Sequence, residues 1–182
     1  PLMTYADQME PTIASMECFI SLLSLPTVDV TKKCHGGFPL VEYMMDNQKL
    51  LNASNVKDIM VPIARKLVVM GGNLSVGKHG RTPLMRFAHA MESTIASMEC
   101  FLSLLALPTV DVTWKTNEGC SLLYFMMDND KLRSAPNVEG VMKLIARRVV
   151  EMGGSLNESQ QHGITPLMRY LWAMEPSFAS ME

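Results

Sequence analysis

Residues 83–113 read PLMRFAHAMESTIASMECFLSLLALPTVDVT, and residues 1–31 read PLMTYADQMEPTIASMECFISLLSLPTVDVT. Both stretches belong to a longer self-match: a shift of 82 residues aligns residues 1–78 with 83–160, and 45 positions are identical. A third beginning follows at His162, where HGITPLM copies the HGRTPLM of residues 79–85. Self-similarity at a fixed period predicts a fold built from repeated units.

Each long copy divides into two units with one plan: a short helix, a connection, a longer amphipathic helix, a turn and a polar tip. In the longer helix of the second unit, apolar residues recur at helical spacing, which predicts a buried stripe. The stripe consists of Val56, Ile59, Met60, Ile63 and Leu67. The glycine pairs at 71–72 and 153–154 suit a helix C-terminus that needs a positive φ. The pattern predicts an all-α fold of helical hairpins, with units at about 1–36, 37–79, 80–118, 119–162 and a partial unit at 163–182.

Two stretches resemble a known repeat family. GRTPLMRFA at residues 80–88 resembles the opening of an ankyrin repeat, in which Thr-Pro-Leu starts the first helix. LLALPTVDVT at residues 104–113 resembles the end of that repeat. The resemblance covers nearly the whole chain and implies an ankyrin-like helical-hairpin solenoid with short turn or β-hairpin tips. A tetratricopeptide-type array is the alternative fold.

The chain departs from the family in its spacing. Gly37, Gly80, Gly119 and Gly163 are 43, 39 and 44 residues apart, whereas the family repeat is about 33 residues long. The second type of unit also reads Cys-Ser-Leu-Leu at residues 120–123 in place of Thr-Pro-Leu. Surface loops tolerate such insertions. Extra residues at 46–54 and 128–136 are therefore expected to lie on one edge of the array.

Composition argues against several classes of protein. A net charge of −2 and a pI near 6.1 lack the basic balance that nucleic-acid binding requires. The sequence lacks an apolar run of the length that spans a bilayer, so membrane insertion is not expected. The four cysteines lack CxxC pairing and are interpreted as reduced, with Cys18 and Cys100 buried as small apolar residues. Reduced thiols favour an intracellular protein, in the cytoplasm or the nucleus.

Enzyme motifs are weak. Residues 72–79, GNLSVGKH, approach a phosphate-binding loop. However, histidine follows the lysine where that loop needs Ser or Thr, and the sister segment GSLNESQ at residues 154–160 has lost the pattern. The histidines are scattered, and none has a carboxylate or thiol at ligand spacing. The sequence therefore predicts neither an enzyme nor a cofactor or metal site.

Methionine is abundant, with 17 in the chain. Three Met-Glu pairs recur at a spacing of seven, which suggests two turns of one helical face. These methionines are Met9 with Met16, Met91 with Met98, and Met174 with Met181. Flexible core packing is one interpretation, and an adaptable docking surface is the other.

The ankyrin resemblance also implies where a partner binds, because the tips of such arrays act as fingers and their first helices form a palm. By motif position, the fingers are Lys32, Lys33, Gly77, Lys78, Trp114, Lys115, Thr116, Glu158, Ser159 and Gln160. The palm positions are Asp7, Asp46, Asn47, His89, Asp128, Asn129 and Trp172. A tryptophan at a tip is typical of an interface anchor, although Trp114 could instead pack on the neighbouring tip.

The resulting functional hypothesis is a scaffold that binds a protein partner through its concave surface. The alternative is a regulatory or targeting segment of a larger multidomain protein whose catalytic domain lies outside this chain. Unmatched apolar helices near both ends lead to the expectation of a fragment of a longer solenoid, contacting flanking repeats or other subunits.

Overall fold

The structure is a computed structural model, and it describes residues 2–133 and 138–174. Its regular structure is helical, which confirms the all-α class. The helices are α1 (Leu2–Gln8), α2 (Ile13–Leu23), α3 (Leu40–Asp46), α4 (Gln48–Leu51), α5 (Val56–Val69), α6 (Pro83–Ala90), α7 (Ile95–Leu105), α8 (Leu122–Met127), α9 (Asp130–Arg133), α10 (Val138–Glu151) and α11 (Pro166–Met174). Strand-like pairing in the described residues is limited to two isolated bridges, Lys33 with Pro39 and Lys115 with Ser121.

The helices lie in two rows, and each helix contacts the next one in its row. The first row consists of α1, α3, α6, α8 and α11. The second row consists of α2, α5, α7 and α10. The four units at residues 1–36, 37–79, 80–118 and 119–162 therefore each contribute one helix to each row.

Local chemistry sets the helix ends. Thr12 and Thr94 cap α2 and α7, because each hydroxyl accepts a hydrogen bond of 3.1 Å from the backbone N–H three residues later. Thr82 caps α6 in the same way, and Pro83 takes the first helical position, where a missing N–H does no harm. After the long helices, Gly71 and Gly153 have φ of 93° and 99°, which confirms the prediction from the glycine pairs.

Aromatic rings pack between the rows at equivalent places. Tyr5 of α1 stacks on Phe19 of α2 with ring centroids 5.7 Å apart, and Phe87 of α6 stacks on Phe101 of α7 at 5.9 Å. The predicted apolar stripe of α5 is also buried. The internal repeat thus preserves the packing of the core as well as the sequence.

The methionines of the core include one member of each of the first two Met-Glu pairs, Met9 and Met91. Those buried in the described residues are Met9, Met44, Met45, Met60, Met85, Met91, Met126, Met127 and Met142. The prediction that each pair shares one helical face is wrong for Met9 and Met91. Both lie between helices, because α1 ends at Gln8 and α6 ends at Ala90. Met181 lies outside the described residues.

The two cysteines at equivalent positions differ in burial. Cys100 is buried, and its sulfur lies 4.0 Å from the Val56 carbonyl oxygen of α5. Cys18 is exposed, so the prediction that it is buried is wrong. The reason is its position in the row: α5 precedes and covers α7, whereas α2 is the first helix of the second row.

The connections at residues 46–54 and 128–136 contain the short helices α4 and α9, which the sequence analysis treated as loop. Their surroundings are equivalent, because Lys49 pairs with Glu10 and Lys131 pairs with Glu92. This equivalence supports the expectation of a common edge. Residues 134–136 of the second connection lie outside the described part of the chain.

Candidate partner-binding surface

The predicted partner-binding residues lie in two places. One group occupies the tips that follow the second-row helices or precede the next unit: Lys32, Lys33, Lys78, Trp114, Lys115 and Thr116. The other group lies at or near the C-terminal ends of first-row helices: Asp7, Asp46, Asn47, His89, Asp128, Asn129 and Trp172. The structure distinguishes between these residues by their burial and by the bonds they form.

Asn47 and Asn129 are internal, and we remove them from the candidate surface. Each is only 1% exposed. The Asn47 amide donates to the carbonyl oxygens of Ala6 and Met9 at 2.9 and 3.0 Å, while its oxygen accepts from the backbone of α4. Asn129 repeats this arrangement with the α6–α7 connection. Both the nitrogen and the oxygen of each side-chain amide are hydrogen-bonded. Each asparagine therefore joins the C-terminal end of one helix to the beginning of another.

Asp46 lies in a group of charges that joins α3 to α6. Arg86 of α6 forms ion pairs with both Glu42 and Asp46, the latter at 2.8 Å between Nη1 and Oδ2. The Glu42 side chain is 1% exposed, whereas that of Asp46 is 43% exposed. The guanidinium of Arg86 also lies 5.3 Å from the centroid of the Phe38 ring. Asp46 is thus available to a partner on one side only.

Burial outweighs the positive charges around these two carboxylates. It raises the pKa of Glu42, although Arg86 opposes the shift and the Lys78 backbone amide contributes a further lowering. Burial also raises the pKa of Asp46, against the opposing charges of Arg86 and Arg81. The positive charges of this chain therefore do not fully offset the cost of burying the charged forms of Glu42 and Asp46.

Asp128 occupies the sister position of Asp46, and several cations surround it. Arg169 of α11 donates from Nε to Oδ1 of Asp128 at 2.5 Å. A nitrogen of Arg133 and Nδ1 of His89 each lie 3.8 Å from a carboxylate oxygen of Asp128. The Asp128 side chain is 20% exposed. Asp128 consequently joins α8 to α11 as Asp46 joins α3 to α6.

His89 is exposed on α6, beside Asp128 and Phe125. Its ring meets the Phe125 ring edge-on with centroids 6.1 Å apart. Partial burial lowers the pKa of His89, the positive charge of Arg81 lowers it further, and Asp128 opposes both effects. His89 therefore favours its neutral form more strongly than a solvated histidine does.

The tips are joined to one another by hydrogen bonds. The Trp114 indole donates from Nε1 to the Gly80 carbonyl oxygen at 3.0 Å. The Asn117 N–H donates to the His79 carbonyl oxygen at 3.2 Å. Trp114 is nevertheless 39% exposed. Trp114 contacts the neighbouring tip and also presents apolar area to solvent.

The remaining tip residues differ in their exposure and in the contacts that their side chains make. Lys32 and Lys33 are exposed. The ammonium of Lys78 lies 4.7 Å from the Phe38 ring centroid, and that of Lys115 pairs with Glu158 at 2.8 Å. Thr116 is half-buried, and its hydroxyl accepts a hydrogen bond of 3.1 Å from the Cys120 N–H. The role of Thr116 within this chain is to shape the tip.

Five positions along the first row form a connected set, which we term the palm row: Asp7, Asp46, His89, Asp128 and Trp172. Asp7 and Asp46 line the same cleft. Arg86 links Asp46 to the helix that carries His89, and His89 approaches Asp128 at 3.8 Å. Arg169 links Asp128 to α11, where Trp172 is 55% exposed. The palm row thus has one member at or near the C-terminal end of each first-row helix from α1 to α11.

Motif positions in the sequence did not reveal Glu42, Phe38, Arg81 or Arg86. A signal for Arg86 is present, because arginine follows Thr-Pro-Leu-Met in two copies, at positions 86 and 169. A signal for Glu42 is also present, because it is an isolated charge in the otherwise apolar run LVEYMM of residues 40–45. The pairing of these residues joins positions more than 40 residues apart, which local patterns do not show.

Two negative findings apply to the described residues. Their His, Cys, Asp and Glu side chains form no group of three that could hold a metal ion. Within the same ranges, every helix is too short or too polar to cross a bilayer. In residues 72–79, the stretch whose sequence approaches a phosphate-binding loop, the Lys78 ammonium lies over the face of the Phe38 ring.

Comparison with known proteins assigns no family to this chain. No protein-family model matches it, and no curated protein matches it. Inferences about function therefore depend on the geometry of the palm row and the tips.

Proposed function

We propose that the chain is an ankyrin-like solenoid that binds a protein partner through the palm row and the adjoining tips. The observation that carries the proposal is the recurrence of the palm row along five successive first-row helices, with exposed side chains at Asp7, His89 and Trp172 and partly buried carboxylates at Asp46 and Asp128. A surface of this kind suits an extended segment of a partner, because repeat arrays present long recognition surfaces. The proposal assigns this chain no catalytic step.

Two further observations support the ankyrin-like part of the proposal. The Thr-Pro-Leu segment at residues 82–84 caps and starts α6, as the resemblance implies. The isolated bridges close tight tips between successive units, and tips from neighbouring units hydrogen-bond to each other. Repeat arrays are stabilised by such contacts between neighbouring units.

The exposed tryptophans are the expected anchors. Trp114 and Trp172 each combine a large apolar area with few rotamers, which is typical of residues that contribute most to interface energy. The charged members of the palm row would then set orientation and specificity. Burial of one such tryptophan contributes several kcal/mol in a favourable interface, about 2–4 by truncation to alanine.

The test is affinity capture with the intact chain and two triple variants. The palm variant carries Asp7→Ala, His89→Ala and Trp172→Ala, all exposed positions. The control variant changes exposed second-row positions, Glu17→Ala, Arg65→Ala and Ile95→Ala. Proteins captured by the wild type should be lost with the palm variant and retained with the control, while both variants unfold at the wild-type temperature. Loss with the control and retention with the palm variant would refute the proposal.

A further inference from the structure

A small cleft opens between α1, α3 and α6, and its lining is acidic and aromatic. Its walls are Asp7, Phe38, Glu42, Tyr43, Asp46 and Arg86, and its volume is about 150 Å³. A cavity of that size accommodates a benzene molecule, so one side-chain head group fits. The lining carries three carboxylates and one guanidinium, which leaves it two negative charges in excess.

One atom of this cleft lacks a partner. Oε2 of Glu42 is buried and has no hydrogen bond of normal distance and angle within the described residues, although the Lys78 backbone amide lies near enough to lower the pKa of the carboxyl, while Oε1 pairs with Arg86. Buried polar atoms are nearly always hydrogen-bonded, so an exception at the wall of a cleft points to a donor that arrives with a ligand. Asp46, on the same helix, leaves almost half of its side chain exposed.

The cations of this chain near the cleft each lie against another group, although the buried Nε of Arg81 has no hydrogen-bond partner among the residues that the structure describes. Arg86 is shared between Glu42 and Asp46. The Lys78 ammonium lies against the Phe38 ring, and the Arg81 guanidinium lies 4.6 Å from the centroid of the Phe125 ring. Burial raises the pKa values of both Glu42 and Asp46 despite the charge of Arg86, and at Asp46 also despite that of Arg81.

The chemistry of the cleft selects an organic cation. A metal ion is disfavoured, since the described acidic side chains do not converge closely enough to hold one. Aromatic rings beside carboxylates suit a planar cation, which can stack on a ring while it donates N–H bonds to the acids. Phe38 and Tyr43 meet edge-on with centroids 6.2 Å apart, and Phe38 already lies close to two cations.

We propose that the cleft formed by Asp7, Phe38, Glu42, Tyr43 and Asp46 binds an arginine side chain of the protein partner. This inference rests on the proposed function and names the chemistry of one contact. Guanidinium donates to carboxylates through a rigid fork; here the carboxylate of Asp46 is the exposed acceptor, and the unpaired Oε2 of Glu42 is buried in the wall beside it.

The equivalent place in the second copy of the repeat lacks this acidic and aromatic lining. Tyr124 replaces Glu42, Cys120 replaces Phe38, and His89 replaces Asp7. The remaining acid, Asp128, is surrounded by Arg169, Arg133 and His89. Binding of an arginine is therefore expected only in the cleft between α1, α3 and α6. Asp128, the equivalent of Asp46 in the second copy, is a matched control.

The first experiment titrates the intact, nitrogen-15-labelled chain with Nα-acetyl-arginine methylamide and follows the backbone amide signals. The comparison probe is the citrulline analogue, which has nearly the same shape and no charge. Arginine should produce saturable shifts at the amides of Phe38, Tyr43 and Asp46, and citrulline should bind about tenfold more weakly or not at all. The double variant Asp7→Asn with Asp46→Asn should lose the arginine response, and Asp128→Asn should keep it.

Three outcomes would overturn the inference: equal binding of both probes, shifts that persist in the Asp7→Asn, Asp46→Asn variant, or no arginine response up to roughly 100 mM. Unchanged amide spectra of the free variants, away from the substituted residues, show that both fold.

The capture experiment separates the two proposals. If arginine fails to bind while the palm variant still loses its captured proteins, the proposed function stands and the arginine cleft is refuted. If arginine binds in the cleft but the palm variant keeps its captured proteins, the cleft chemistry is supported and the proposed function fails.

Discussion

Asn47 and Asn129 make the same four hydrogen bonds at equivalent places in the two copies of the repeat. Each amide nitrogen donates to two carbonyl oxygens at the C-terminal end of a first-row helix, one in its last turn and one just after it, at 2.9–3.0 Å. Each amide oxygen accepts from two N–H groups at the start of a short helix, at 2.9–3.2 Å. One side chain thereby joins the beginning of α4 or α9 to the preceding unit.

Replacement of Asn129 by alanine should destabilise the fold by at least about 2 kcal/mol, because buried backbone groups would lose their partners. Urea unfolding measures the change. Asn157→Ala is the matched control, since Asn157 is exposed, and it should stay within about 0.5 kcal/mol of the wild type. A neutral Asn129→Ala variant would mean that water replaces the amide without cost.

The pKa of His89 should move in opposite directions in two variants. Asp128→Asn removes the charge that raises this pKa, so the pKa should fall further. Arg81→Gln removes a charge that lowers it, so the pKa should rise. The ring proton shifts of His89, followed by NMR from about pH 4 to 9, report both changes. Movement in the same direction in both variants would contradict the observed arrangement of charges.

The lowered pKa of His89 also has a defined consequence for stability. The unfolded chain binds the histidine proton more tightly than the folded chain does. The contribution to stability is therefore present above the unfolded pKa and is lost as the pH falls through the folded pKa.

Thiol reactivity should divide the four cysteines into two pairs. Cys18 is exposed and Cys34 is half-buried, whereas Cys100 and Cys120 are buried. Burial raises the pKa of Cys100 to about 12, and a hydrogen bond from the Tyr43 hydroxyl lowers the pKa of Cys34. A disulfide reagent should titrate two thiols in the folded protein and four after unfolding, since the thiolate is the reactive form.

Cysteine variants identify the reactive pair. Cys18→Ser and Cys34→Ser should each remove one fast equivalent, and Cys120→Ser should remove none. Rapid modification of Cys100 in the folded protein would contradict the packing of α5 on α7.

Local features of this fold could be predicted from sequence, and long-range polar contacts could not. The stripe that includes Val56 and Ile63 predicted the buried face of α5, and Gly71 predicted the end of that helix. Both depend on residues within a few turns of each other. The burial of Asn47 depends on Ala6, which is 41 residues away, and the motif position alone suggested a surface residue.

The candidate surface shows the same distinction. The tip position of Trp114 suggested either an interface anchor or packing on the neighbouring tip, and the structure shows exposed area together with a hydrogen bond to Gly80 of that tip. The pairing of Arg86 with Glu42 and Asp46 requires α3 and α6 to be adjacent in the first row, which only the fold establishes. Cys18 shows a further limit: identical local sequence at Cys100 led to the same prediction, yet the preceding helix α5 covers only one of the two.

Burial of Glu42 should make the stability of the fold depend on pH. Because burial raises the pKa of Glu42 in the folded state, the folded chain binds this proton more tightly than the unfolded chain does. Stability attributable to Glu42 is then present below its unfolded pKa and is lost as the pH rises through the folded pKa.

Glu42→Gln removes this dependence, so the variant should gain stability relative to the wild type between about pH 4 and pH 7. Urea unfolding at both pH values gives the difference, and Glu17→Gln, at an exposed position, should show no such trend. If Glu42→Gln instead loses stability relative to the wild type as the pH rises, the ion pair with Arg86 outweighs the desolvation of Glu42. The carboxylate would then be fully compensated within the chain, and the case for a cation from outside would lose its electrostatic support.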